Sequence, residues 1–450
     1  MRGLLEIKGE LSTKQIVKLA IPLFFEQVVL LALPVVNSIL VSSAGQAALS
    51  GVSLVDMINT MLCYLFLYTM NGISIVAAQY FGRKDKENLR HSIGQTFTAS
   101  NVLSMAVMIL MFFFGHFVIE LFMHGADAQI MVEAKNYFKI LVFSLPFFSF
   151  YSVCVASLRG TGNTRLAMVV SITQNTSTVV CSSVLIYVFG LGVYGAALGM
   201  ILGKAIGAVV GAVLLKRTCI IGSFREMFGF KIDMEMQRKV LKFGFPQSVE
   251  MIFFMLGKVI INMFILKSGI DQVAANAVAF PVTDFLTFGV SGFTIVATTV
   301  VAYAKGANDD ALARKYLKKV YLMVSAVIFF TTLGMIPLIP NLLALYHMTE
   351  ASFGIAWQIV VLQAIVLIVI FPAGFLLPAG FRGAGDVVAP SAASMIAVWC
   401  VRLPAAYLFA SVLGMGAIGI WIGMWADFIF RSAYNLYRWR SGKWLKFKSV

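Results

Sequence analysis

Twelve long apolar runs divide this chain, and they constrain its fold more than any short motif does. They cover about 14–42, 47–81, 88–115, 128–157, 164–190, 192–217, 239–267, 272–304, 310–338, 351–380, 387–412 and 416–437. An α-helix needs roughly 20 residues to cross a bilayer, and these runs meet that length. Inside hydrocarbon every backbone polar group must pair within its own segment, so runs of this kind are helices. Composition agrees: 60% of residues are hydrophobic and only 12% charged, where a soluble domain has nearer a quarter charged. The expected fold is all-α, a polytopic membrane protein with twelve transmembrane helices. Several runs exceed the minimum, which calls for tilting or bending.

The chain also states itself twice. Leu158-Arg159-Gly160-Thr161-Gly162-Asn163 returns as Phe381-Arg382-Gly383-Ala384-Gly385-Asp386, each copy between two apolar runs. Pro22 and Glu26 return as Pro246 and Glu250, Gly82 as Gly306, and Gly192, Gly195 and Gly199 as Gly416, Gly419 and Gly423. Landmarks in one order at a nearly constant offset mark an internal repeat. The expected organisation is an N-terminal six-helix lobe over 1–218, a cytoplasmic interfacial linker over 219–237, and a C-terminal six-helix lobe over 238–450. The corner glycines supply the tight, partly left-handed backbone of a turn. The corner arginines suit carbonyls at a helix end or lipid phosphate.

The formal net charge is +15, and its placement argues against nucleic acid. Lysine and arginine gather at the N-terminus, in 83–90, 216–242 and 305–319, and after Arg431. The connections near 43–46, 116–127, 191–194, 340–350 and 413–415 hold none. This alternation is the positive-inside pattern. It places both termini in the cytoplasm of a multi-pass plasma-membrane protein, with the basic surface against anionic headgroups. Phe224, Met227, Phe228, Phe230 and Ile232 interleave with the charges between the lobes, as in an interfacial segment. The first apolar run is a full span preceded by mixed charge, so no cleavable leader is expected. The cysteines show no metal spacing, the histidines sit near span ends outside any catalytic motif, and the Gly-x4-Gly-Lys-Ser/Thr phosphate cradle is missing. The chain is read as neither an enzyme nor a nucleotide-driven pump, acting as a monomer on a small-molecule substrate without a cofactor.

Polar groups within the runs carry the remaining information. Intramembrane carboxylates cost about 2.5–3.5 kcal/mol on insertion scales and are functional candidates by default. Glu26 and Glu250 lead because they hold matching places in the repeat, with Asp56 and Asp284 as alternates; Asp427, one turn before Arg431, reads as a structural pair. Lys258, two turns after Glu250, and Arg402 in the eleventh run are possible neutralising partners for these carboxylates. Gln27 and Asn37 beside the two prolines of the first run, Asn59 in the second, Asn175 and Thr178 in the fifth, and Lys258 are candidate cavity residues. Such polar groups suit either a wet interior or hydrogen-bonded helix packing. Gly195, Gly199, Gly203, Gly207 and Gly211 form a stripe that lets another backbone approach.

Twelve spans in two halves, the doubled Arg-Gly-x-Gly corner, Ala78-Gln79-Tyr80-Phe81-Gly82 ending the second span, and Gly442-Lys443-Trp444 at the tail resemble the multidrug and toxic compound extrusion (MATE) family. The resemblance covers essentially the whole chain. It implies two six-helix lobes around a central cavity, and export of amphipathic, often cationic compounds by alternating access. The driving ion it implies is H+ or Na+. A flippase for a lipid-linked or polar precursor is the other activity of the wider superfamily. That activity calls for a markedly basic cavity, and Lys204, Lys258 and Arg402 are the only basic residues deep in spans. The chain departs from the pattern the resemblance implies. Asn37 stands where many members carry a coupling aspartate, and Thr178 and Ser182 stand where their asparagine and aspartate partners fall. Phe254 and the segment Phe371-Pro372-Ala373 replace acidic residues of one branch. Coupling would fall to Glu26, Glu250, Asp56 or Asp284.

Overall fold

The protein is described here as a computed structural model covering residues 11–42, 46–122, 127–218, 220–221, 232–266, 268–346 and 348–447. All secondary structure in these residues is helical. Twelve helical spans follow one another: α1 Thr13–Ser42, α2 Gln46–Arg83, α3 Lys86–Phe122, α4 Ala128–Gly160, α5 Thr164–Val188 and α6 Gly192–Arg217. Then come α7 Met234–Leu266, α8 Ile270–Gly306, α9 Asp310–Ala344, α10 Glu350–Gly383, α11 Val388–Val412 and α12 Gly416–Ser441. Each expected span is present, and α1 runs unbroken through Pro22 and Pro34. Many large apolar side chains point outward, among them Phe113, Val188, Phe330 and Val369, as a lipid-facing surface requires.

The chain packs as two compact units, one built on residues 17–248 and the other on residues from 249 onward. Backbone geometry repeats between them. After α4, Gly162 donates to Arg159 O and Asn163 to Leu158 O, with Gly162 at φ 77°. After α10, Gly385 donates to Arg382 O and Asp386 to Phe381 O, with Gly385 at φ 98°. Both are left-handed helix caps that satisfy the last carbonyls. The other glycine of each corner serves close approach. A Cβ on Gly160 would overlap Ser74 O of α2, and one on Gly383 would overlap Thr298 O of α8. The corner is therefore fixed twice, by its turn and by its contact with the second helix of its own unit. In the second unit the tail closes over it, where Trp444 packs on Phe381 with ring centroids 5.5 Å apart.

Of the basic segment between the units, Phe224, Met227, Phe228 and Phe230 lie outside the described residues. Asp233 at its end caps α7, accepting from Glu235 N at 2.9 Å and Met236 N at 3.2 Å, and meets His91 Nε2 at 2.8 Å. The His91 contact, joined by these backbone donors, holds the Asp233 carboxyl below its ordinary range.

The glycine stripe of α6 lies against α5. A Cβ on Gly203 would overlap Thr178 Oγ1, one on Gly199 would overlap Ser182, and one on Gly207 would stand 2.6 Å from Gln174 Cβ. Gln174, Thr178 and Ser182 of α5 are thus occupied by this contact, with Thr178 Oγ1 donating to Gln174 O at 3.0 Å. Gly203→Ala should cost about 1–3 kcal/mol, the usual range for overpacking, read as a lower midpoint of thermal unfolding in detergent. Gly334→Ala, where nothing lies within 4 Å of the added carbon, should leave that midpoint unchanged or slightly higher.

Candidate functional site

The carboxylates within spans fall into two kinds. Glu26 on α1 is 1% exposed, and its Oε1 lies 2.6 Å from Arg159 Nη2 at the end of α4. Glu250 on α7 repeats the arrangement, with Oε2 2.6 Å from Arg382 Nη2 at the end of α10. Lys258 and Arg402, named from sequence as possible neutralising partners, are not the ones these two glutamates use; Arg402 instead stands 3.9 Å from Asp427 and Lys258 acts on Asp284. Each repeat supplies its own cation from its corner. Because Arg159 and Arg382 stand in the last helical turn before the corner, both pairs lie toward the end of the spans that carries the basic loops. Asp427 is also held by arginine, with Arg431 Nε 2.5 Å from Oδ1 and Nη2 3.0 Å from Oδ2.

Asp56 on α2 is held differently. Tyr137 OH of α4 donates to Oδ1 at 2.9 Å, and Asn37 Nδ2 of α1 donates to Oδ2 at 3.3 Å. Both donors are neutral. Tyr137 is fully buried, and its oxygen also stands 3.2 Å from Met200 Sδ on α6. Lys204 on α6 is the charge acting on Asp56, yet its Nζ donates to Ser144 Oγ at 2.9 Å and sits over the Phe148 ring. Four spans thus meet around one carboxylate, and Asn37 joins it as a donor.

The other sequence candidates scatter. Asn59 is buried one turn from Asp56, with Oδ1 3.8 Å from Cys63 Sγ. Asn175 is 2% exposed and its amide nitrogen has no partner among the described residues. Thr178 is buried in the α5–α6 contact, so packing occupies the side chain expected to line a cavity. Gln27 is half-buried on α1. In the second unit Asp284 is exposed, with Lys258 as its charged neighbour, and Lys258 Nζ lies 5.3 Å from the Phe280 ring centroid. Sequence reading missed Tyr137, because a lone tyrosine in an apolar run looks like any other aromatic. It also missed Arg159 and Arg382 as carboxylate partners, although each recurs at nearly the offset that relates the two glutamates.

Twelve bilayer-length helices in tandem halves, with charges paired from span to span, define a polytopic membrane protein. The MatE family model matches residues 22–185 and 246–408. The chain belongs to the MatE family of transporters. It is 25% identical over 449 residues to the "Probable multidrug resistance protein NorM" of Thermotoga maritima, covering 96% of this chain and 93% of that one. It is 25% identical over 442 residues to the "Uncharacterized transporter YisQ" of Bacillus subtilis, covering 97% and 96%. Among solved structures, a MATE protein in complex with MaL6 is similar at a TM-score of 0.89, with 21% identity and 98% of each chain covered. A MATE protein in the straight conformation is similar at a TM-score of 0.88, with 21% identity and 99% and 100% covered.

Removing one member of a buried ion pair leaves the other uncompensated, at a cost of about 3–5 kcal/mol. Arg159→Gln should therefore lower the unfolding midpoint sharply, and Arg382→Gln, in the more exposed pair, less so. Adding Glu26→Gln to Arg159→Gln should recover most of the loss. A double variant less stable than either single one would contradict the pairing.

Proposed function

We propose that this transporter is a cation-coupled antiporter that exports small amphipathic, often cationic molecules by alternating access, with Asp56 as the coupling group. The observation that carries this reading is the contrast among span carboxylates: arginine holds Glu26, Glu250 and Asp427, while neutral hydrogen bonds from Tyr137 and Asn37 hold Asp56. A carboxylate already neutralised by arginine gains little from a further cation. One that rests on neutral donors still attracts a proton, a sodium ion or a cationic substrate, and two cations competing for one group give exchange. The name of the Thermotoga maritima relative supports drug export as the activity.

Asp56 takes over in α2 the charge that Asn37 lacks in α1. Asparagine cannot bind a proton or supply negative charge, but its amide can donate to a carboxylate. Lys204 limits how firmly a bound cation is kept, which favours its release. Glu26 and Glu250 act in this reading as clamps within their units. Asp284, exposed beside Lys258, is the candidate coupling group of the second unit. The coupling ion is H+ or Na+, and phenylalanine and methionine side chains supply an adaptable surface for substrate. The protein works as a monomer in the plasma membrane, with both termini and the basic loops on the cytoplasmic side. The flippase reading needs a markedly basic cavity, and Lys204, Lys258 and Arg402, which are divided between the two units, are thin support for one.

In proteoliposomes with proton and sodium gradients imposed separately, Asp56→Asn should lower gradient-driven ethidium transport about tenfold or more. Transport by Asp56→Asn at the wild-type rate under the driving gradient would remove Asp56 from the mechanism.

A further inference from the structure

The second unit contains a cluster of charge that neither the clamps nor the coupling site uses. Asp427 lies 0% exposed on α12, with Arg431 one turn later at 7% and Arg402 of α11 at 4%. Arg431 takes both carboxylate oxygens. Arg402 Nη1 stands 3.9 Å from Asp427 Oδ2, outside hydrogen-bonding reach. Among the described residues the Arg402 guanidinium makes no hydrogen bond, and its Nε is a buried donor without a partner. A guanidinium carries five donors and keeps its charge, so leaving its donors without hydrogen-bond acceptors inside a span is costly.

Aromatic rings flank the cluster, and Asp427 is the one carboxylate that pairs with its arginines among the described residues. The Phe254 ring lies 5.7 Å from the Arg402 guanidinium carbon, and the Phe375 ring lies 6.0 Å from that of Arg431. Arg402 ends a π-helical turn, Ala397–Arg402, and Phe375 belongs to another, Pro372–Leu376. Wide turns of this kind recur at functional sites. Two arginines and one aspartate leave a net charge of +1 within the spans, with one buried unsatisfied donor, Nε, on the arginine that meets Asp427 only at 3.9 Å.

We infer that Arg402, together with Arg431 and Asp427, forms an anion site in the second unit that takes one singly charged anion. Its occupant is either chloride or the carboxylate of an amphipathic molecule. Both accept from guanidinium N–H groups and balance the surplus charge, and the phenyl rings favour weakly hydrated anions over sulfate. The site does not depend on Asp56 or on the direction of transport.

The test is thermal unfolding of the full-length protein in detergent, with sodium sulfate as the reference salt at matched ionic strength and sodium chloride or sodium benzoate as the probe. Binding to the folded state should raise the midpoint by several degrees and saturate. A response to chloride assigns the inorganic ion, and a response to benzoate alone assigns a carboxylate. Arg402→Gln should abolish the shift, while Arg165→Gln, at an exposed position, should retain it. No saturable shift in the wild type, or a full shift in Arg402→Gln, overturns the assignment. If Arg402→Gln does not fold, crystals grown in bromide and in 4-bromobenzoate decide: anomalous density beside Arg402 in either supports the site, and its absence from both overturns it.

Discussion

A charged carboxylate inside a bilayer span needs a partner, and here the repeat supplies one to each unit in the same way. Glu26 meets Arg159, and Glu250 meets Arg382, both at 2.6 Å. Arginine stays charged under any physiological condition, so each pair is internally neutral. Each ties the first helix of its unit to the end of the fourth. Because the arginine begins the corner, the pair joins the first helix to a turn that its own cap and the approach of the corner glycine to the second helix also fix.

Other contacts in each unit stand beside it. The left-handed caps at Gly162 and Gly385 complete the corners, and the apposed glycines leave no room for a side chain. The fifth and sixth helices of the first unit close along a stripe where hydroxyls face glycine. Once those polar groups are committed, Asp56 stands out. It gathers Tyr137 and Asn37 from neighbouring helices with no arginine among its hydrogen-bond donors, and so combines a fixed place with a charge that is still available.

The spans and the repeat were legible in the sequence because both are written in periodic form. Bilayer length showed in the apolar runs, and duplication in prolines, glycines and glutamates at nearly one offset. Glu26 and Glu250 were visible as a matched pair, whereas their partners were not. Helical periodicity reports only neighbours on one helix, so it pointed from Glu250 to Lys258, while Arg382 is 132 residues away in the chain. For the same reason the Asp427–Arg431 pair could be read at i,i+4, but the approach of Arg402 from the preceding span could not. Thr178 showed a further limit. A hydroxyl in an apolar run looks alike whether it faces water or a glycine, and only the contact with Gly203 separates the two.

In the proposed cycle the clamps are structural and Asp56 is the group that loads and unloads. Counting the cations that ethidium displaces from purified protein tests it most directly, with protons followed by a dye in weak buffer and sodium by isotope. Displacement is expected from the wild type and from the neutralised double variant Glu26→Gln/Arg159→Gln, and none from Asp56→Asn. Undiminished displacement from Asp56→Asn, or its loss in the double variant while that protein remains folded, would contradict it.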